Sequence, residues 1–323
     1  MNLDVGQLGV QVSNSEDKLQ QRLSRILDEL QRPLIRLTNY LITCEDHLTK
    51  KQRVDILHWL STIPHRKHHL NMIKDILPGS GRWLISNDTY RRWWNSSVSS
   101  TLWLHGIPGC GKSKLVAHVV QTFLNERRLL NSSAPLAFFY CARAAAEPKR
   151  ADPSEILRSI LRQLLGSGSD DPLKPAVVDV YSTRKDEAED DGSDIDLLTI
   201  DECVGLILEI TNETSATIII DALDECNPTT RYQLINALQE IVQQSANVVK
   251  IFISSRQDGD IVMRMKEVPD VFIGASENSK DIQLFVEVEI DKAIEEKRLL
   301  GGVVDDGLRS QIKSSLLQGA RGM

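Results

Sequence analysis

From Ser15 to about Leu48, apolar residues recur at steps of three or four: Leu19, Leu23, Ile26, Leu30, Leu34, Leu37 and Leu41. That spacing predicts an amphipathic helix or helix pair, with Pro33 as a kink or break. Such a face must pack on something, either as a coiled-coil or partner-binding helix or as the tail of a helical domain docked on its own chain. Lys50 to Ile63 predicts a second helix, with Val54, Leu57 and Ile63 or Trp59 toward a core and Pro64 closing it. Beyond residue 100 the pattern changes to short apolar runs separated by helical periodicity. Thr101–His105, Leu136–Cys141, the β-prone residues from Thr217 to Asp221, Val248–Ser254 and Val271–Ile273 read as buried strands. Helices are predicted over Lys114–Leu124, Pro153–Leu165, Ile200–Glu213, Arg231–Gln244 and Ser279–Arg298, and from Asp305 to Leu317.

Two stretches fall outside this rhythm. Leu77 to Trp94 combines a glycine turn at Gly79 and Gly81 with Trp83, Tyr90, Trp93 and Trp94. The aromatics read as core anchors, and the turn either packs or touches a bound base or ribose. Asp186 to Asp196 is acidic and poor in apolar residues, which predicts a solvated surface loop rather than a regulatory or Mg²⁺-attracting tract.

At 323 residues the chain is long enough for one large domain with appendages or for two domains. A formal net charge of −7, without a basic stripe, argues against nucleic acid as the main partner. Five cysteines, Cys44, Cys110, Cys141, Cys203 and Cys226, lie without C-x-x-C spacing, which fits reduced thiols in an intracellular protein. His65, His68 and His69 have neither a cysteine nor a carboxylate pattern for a metal site. The first residues lack a basic region followed by an apolar run, and no later stretch approaches the roughly 18 apolar residues of a membrane span. These features give a cytoplasmic reading, in which the N-x-S/T triplets at Asn87, Asn95, Asn131 and Asn212 are chance matches.

The chemistry concentrates in three places. Thr101–Val120 is a strand, a glycine-rich turn and a helix in succession, holding G-x-x-x-x-G-K-S as Gly106, Ile107, Pro108, Gly109, Cys110, Gly111, Lys112 and Ser113, with Lys114 next. Such a loop turns backbone N–H groups inward and adds the positive end of a helix dipole, so it cradles a triphosphate. Lys112 would reach the β- and γ-phosphates and the Ser113 hydroxyl would hold Mg²⁺. The second place is the end of the strand in TIIIDALDEC. There Asp221 would complete the Mg²⁺ site, and Asp224 and Glu225 follow, one of which can polarise an attacking water. The third is Arg256, after KIFISS, on the ligand side of a parallel strand where it would read the γ-phosphate.

The cradle GIPGCGKS, the acidic strand IIIDALDEC and the arginine strand KIFISSR, in that order, resemble the NACHT NTPase family, in particular the nephrocystin-type NACHT domains of fungal NOD-like receptors. The lead-in with GSGRWL and the segment FFYCAR are similar to the same group, and the resemblance runs from about Ile56 to Met323. It implies an α/β P-loop three-layer sandwich with a parallel five-stranded sheet in the order 5-1-4-3-2. Gly106, Gly109, Gly111, Lys112 and Ser113 would be Walker A, Asp221 with Asp224 and Glu225 Walker B, and Arg256 the sensor arginine. The implied domains are an N-terminal helical segment at 1–50 (the tail of an upstream region), a helical lead-in at 51–98, the NTPase core at 99–275 and the beginning of a helical lid at 276–323. Family members continue past an A-R-G-M-like segment, so a shortened gene product is expected.

The function implied is a signalling switch of the STAND class that binds ATP, or less readily GTP because no N-K-x-D base-reading motif occurs. It would hydrolyse the nucleotide slowly with Mg²⁺ and act through self-association or an effector protein, in an innate-immunity or heterokaryon-incompatibility-like pathway. The alternatives are a nucleotide-binding fragment or scaffold that does not hydrolyse, and a P-loop phosphotransferase for a small acceptor.

Overall fold

The computed structural model describes residues 50–74, 76–129, 134–166, 173–274 and 277–320. The chain divides into two compact units, Met1–Ile56 and Leu57–Met323. The amphipathic stretch Ser15–Leu48, Cys44 and Asn131 lie outside the described residues, as does most of the first unit.

Residues 50–60 are helical, with Leu60 buried but Val54 exposed rather than facing a core, and three short helices follow: α1 (His65–Ile73), α2 (Arg82–Ser86) and α3 (Asp88–Asn95). Strands and helices then alternate: β1 (Ser100–Gly106), α4 (Lys112–Leu129), β2 (Leu136–Tyr140), α5 (Pro153–Leu165), α6 (Pro175–Asp191), α7 (Ile200–Glu213), β3 (Ala216–Asp221), α8 (Arg231–Gln244), β4 (Val249–Ser255), α9 (Gly259–Arg264) and β5 (Asp270–Ile273). Two helices, α10 (Ser279–Glu295) and α11 (Asp306–Ala320), follow the sheet. All strand pairs are parallel and the order is β2-β3-β4-β1-β5, the 5-1-4-3-2 arrangement read from the other edge. A parallel sheet needs both faces covered, which is why the strands are continuous apolar runs.

The two faces hold different partners. Leu102, Leu104, Phe138, Ile219 and Phe252 sit on one face and form a single buried cluster with Tyr90 and Trp93 of α3 and with Val116, Val119 and Val120 of α4. Trp93 anchors that layer, its indole N–H donating to Ser100 O at 3.1 Å. The α5 helix packs on β2, α7 and α8, and α8 also packs on β4. Of the lead-in aromatics, Tyr90 and Trp93 are buried as expected of core anchors, while Trp94 is partly exposed and lies against Phe123.

One element differs from expectation. Residues 186–191, expected as part of a surface loop, belong to α6, which Pro175 starts at its first turn and Gly192, with φ of 66°, ends. Only Val177, Tyr181 and Ala188 are buried on it, and Tyr181 meets Trp59 edge-on at 5.3 Å. Residues 192–199 return to irregular chain, and Thr199 caps α7 in a reciprocal capping box with Glu202.

Candidate nucleotide-binding site

Parallel strands present their C-terminal ends on one edge of the sheet, and β1, β4 and β3 lie side by side there. The turns that leave them carry the chemically promising residues. After β1, Gly109 and Gly111 adopt φ of 82° and 89°, a left-handed backbone that glycine enters without a Cβ penalty. At Gly106 the constraint is space: a Cβ would lie 2.8 Å from Cys110 Sγ and 3.2 Å from Ile273. Helix α4 begins at Lys112, so its first N–H groups point into the loop. Lys112 Nζ donates to Gly106 O at 2.8 Å and Ile107 O at 2.9 Å, spanning the cradle. Ile107 and Pro108 are exposed on its rim. Lys114 faces the lead-in, donating Nζ to Met72 O at 3.0 Å.

Asp221 ends β3 and is almost fully buried. Its Oδ1 accepts from the Ser254 hydroxyl at 2.6 Å, and Ser113 hydrogen-bonds the same carboxyl group. Burial pushes this carboxyl above the usual aspartate range, and the nearby Asp224 charge adds to the rise. The two serine hydrogen bonds and Lys112 oppose it. Ser254 also accepts from Ala222 N at 3.0 Å, fixing a turn in which Ala222 has a left-handed φ of 54°. A hydroxyl from Ser113 beside a carboxylate from Asp221 is the sparse oxygen set that suits Mg²⁺, which takes one or two protein ligands and completes its shell with phosphate and water. Among the described residues no larger group of His, Cys, Asp and Glu is placed to hold a metal ion.

The next two acids have different surroundings. Asp224 is buried and both its oxygens are engaged: Oδ1 accepts from Arg256 N and Oδ2 from Arg256 Nε, each at 3.0 Å. Among the described residues the Glu225 side chain makes only long contacts, 3.5 Å to Arg256 Nη2 and 3.4 Å to Arg143 N, and it is 34% exposed. Arg256 itself is about half exposed. Two further arginines hold the turn, Arg143 Nη2 and Arg231 Nη1 donating to Asp224 O at 2.9 and 3.1 Å. Neither had been assigned a site role from sequence. The segment FFYCAR contains Arg143 and marked the region, whereas Arg231 read only as the start of a helix.

Beside the loop lies a cavity of about 270 Å³, walled by Ile76, Leu77, Leu115 and Phe285, with His118 and Asp281 as polar lining. The glycine turn expected to pack or to touch a base closes one side: Gly81 N donates to Asp281 Oδ2 at 2.9 Å. Asn278 reaches the loop from the start of α10, donating Nδ2 to Cys110 O at 3.3 Å. An apolar slot opening onto a phosphate cradle suits a planar base.

Residues 79–256, just over half of the chain, match the model of the family described as nephrocystin 3, N-terminal, a stretch that runs from the glycine turn through the phosphate loop and the acid turn to Arg256. The chain belongs to that family. It carries a NACHT-type P-loop NTPase domain related to the vegetative incompatibility protein HET-E-1 of Podospora anserina, to which it is 24% identical over 239 residues. That alignment takes in 71% of this chain but only 16% of the length of HET-E-1. Among solved structures, the Aeropyrum pernix ORC2 protein in its ADPNP–ADP complexes matches 76% of the chain and 71% of its own, with 12% identity and a TM-score of 0.41. Domain III of the Thermotoga maritima replication initiation protein DnaA matches 76% of the chain and 96% of its own, at 10% identity and a TM-score of 0.37. Nucleotide binding, usually with Mg²⁺, is the general property of a P-loop fold. No described helix is long and apolar enough to cross a membrane.

Proposed function

We propose that this domain is a nucleotide-dependent switch that binds Mg-ATP, hydrolyses it slowly and acts through self-association or an effector protein. The observation that carries the reading is the convergence of three turns, those bearing Lys112, Glu225 and Arg256, on adjacent strand ends, with Arg256 bonded to the acid turn. In this reading the loop amides and Lys112 bind the phosphates, and Ser113 and Asp221 hold Mg²⁺. Mg²⁺ held there would supply neutralisation of charge on the phosphate oxygens. Glu225 orients and polarises the attacking water, because Asp224 has both oxygens committed to Arg256. Asp224 therefore positions Arg256 instead of handling the proton.

Arg256 supplies the differential contact that a switch requires. A ligand shifts a conformational equilibrium only by its difference in affinity for the two states. A guanidinium shared between Asp224, Glu225 and a γ-phosphate would make that difference report on whether the nucleotide is a tri- or a diphosphate. That the Podospora anserina relative is a vegetative incompatibility protein supports an innate-immunity or heterokaryon-incompatibility-like pathway. ATP is favoured over GTP by the missing N-K-x-D motif, and cysteines without C-x-x-C spacing support a cytoplasmic site of action.

The test is to measure Mg-ATP and ADP binding, phosphate release and particle mass in each nucleotide state for the wild type, Lys112→Ala and Glu225→Gln. The switch predicts binding and slow turnover in the wild type, no binding in Lys112→Ala, and binding without turnover in Glu225→Gln. It also predicts a mass that differs between ATP and ADP. Binding without turnover or mass change in the wild type identifies a nucleotide-holding module, and turnover strongly stimulated by a small acceptor identifies a phosphotransferase.

A further inference from the structure

We infer that Arg231 is a positioning residue that couples the Asp224–Glu225 turn to the loop carrying Arg256. It stands at the first position of α8, yet its side chain bonds to other elements. The guanidinium is almost fully buried, and its edges are divided between two turns. Nη1 donates to Asp224 O at 3.1 Å, on the turn that leaves β3. Nε donates to Asp260 Oδ2 at 2.7 Å and Nη2 to Asp258 Oδ2 at 2.9 Å, with a second bond from Nη2 to Asp260 Oδ1, on the loop that leaves β4 and the first turn of α9. Since Arg256 is two residues before Asp258 and grips the Asp224 carboxylate, a closed circuit forms. It runs from the Asp224 carboxylate to Arg256, along the chain to Asp258, through Arg231, and back to the Asp224 carbonyl.

The circuit fixes the Arg256 loop relative to Glu225. Arg231 remains charged within it: its bonds to the Asp260 carboxylate, and then to Asp258, hold the guanidinium pKa above its usual range, and Arg231 holds Asp260 below the usual carboxylate range. Both aspartates keep part of their surface in water, so only the arginine is fully desolvated. Only a planar fork reaches acceptors on both turns at once, which an ammonium on a flexible stem does not reproduce. The α8 helix does not need Arg231 as its anchor, because Leu234, Ile235, Leu238 and Ile241 bury its apolar face.

This inference rests on the reading that Arg256 and Glu225 act at the γ-phosphate. The experiment compares Arg231→Lys and Arg231→Gln with the wild type in the full chain. It follows Mg-ATP turnover, the affinities for ADP and for ATP, and amide hydrogen exchange by segment. Positioning predicts ADP affinity within about threefold of wild type, kcat lower on the order of 10²-fold with little change in KM, and loss of the ATP-over-ADP preference in both variants. It also predicts faster exchange over 222–230 and 255–262 at unchanged exchange over 101–120. Wild-type turnover in Arg231→Lys, or exchange that rises evenly over the whole sheet, overturns the inference and leaves a stabilising group only. If the wild type neither binds nor hydrolyses ATP, the proposed function fails. The exchange pattern then decides the positioning role alone, and an absence of selective loosening overturns it.

Discussion

Replacing Asp224 and Glu225 one at a time separates two acids that sit next to each other in sequence. In Asp224→Ala the backbone N–H of Arg256 loses its carboxylate acceptor in a partly buried place. An unsatisfied buried donor costs about 1–3 kcal/mol. The Arg256 guanidinium loses an ion pair as well, but its half exposure lets water screen that loss to about 1 kcal/mol or less. The sum is about 1–4 kcal/mol, and at roughly 2–4 °C per kcal/mol for a domain of this size the melting temperature should fall by about 2–16 °C. Glu225→Gln removes only long contacts on a partly exposed side chain, so its stability should stay within about 0.5 kcal/mol of wild type. Its phosphate release should nevertheless fall by about 10²–10⁴-fold, the usual contribution of a positioned general base. Differential scanning calorimetry and a phosphate-release assay on the same preparations give both numbers. The reasoning is refuted if Asp224→Ala melts like the wild type, or if Glu225→Gln turns over at the wild-type rate.

Three further substitutions follow from the same geometry. Gly106→Ala places a Cβ against Cys110 and Ile273, so nucleotide affinity should fall at least tenfold and the melting temperature should drop, both readable in a thermal-shift titration with Mg-ATP. Asp221→Asn removes a buried charge whose protonation burial already favours, so the nucleotide-free protein should be equally stable or up to about 2 kcal/mol more stable, while Mg²⁺-dependent nucleotide binding is lost. His65 is held neutral by burial and by Arg162 and Arg66, which lowers its pKa to about 4. The unfolded chain then binds more protons between about pH 6.5 and 4, so stability falls as pH drops through that window, by on the order of 2–3 kcal/mol. Urea titrations of wild type and His65→Gln across the window should show a flatter pH dependence in the variant.

How much of this was legible depends on how far apart the partners lie. The phosphate loop is contiguous, so Gly106 to Ser113 could be read as one device from spacing alone, and the strands stood out because burial on both faces removes their polar positions. The sheet order came from family resemblance, because no local pattern encodes which parallel strands adjoin. Helix α6 was missed because it buries few side chains and carries acids through its last turns, against the preference of the helix dipole. Sequence sets Asp221 apart as the strand-end Mg²⁺ candidate but leaves Asp224 and Glu225 undivided. The structure separates all three through Ser254, Arg256 and exposure to solvent. Arg143 and Arg231 were overlooked for the same reason: Arg143 lies 81 positions from Asp224, and Arg231 meets Asp260 across 29. The contact from Gly81 to Asp281 spans 200 positions and is visible only once α10 is folded against the loop.

The central claim is that the loop around Lys112 is a nucleotide site, and calorimetric titration of wild type and Lys112→Ala with Mg-ATP tests it most directly. Lys112 bridges the carbonyls of Gly106 and Ile107 at the cradle mouth and is the cation nearest the phosphates in this account. A phosphate cradle here gives saturable binding to the wild type and affinity at least 10²-fold weaker in a folded Lys112→Ala, the loss expected when a desolvated charge-assisted contact is removed. Wild-type protein that gives no saturable binding, or Lys112→Ala that binds as tightly as wild type, contradicts it.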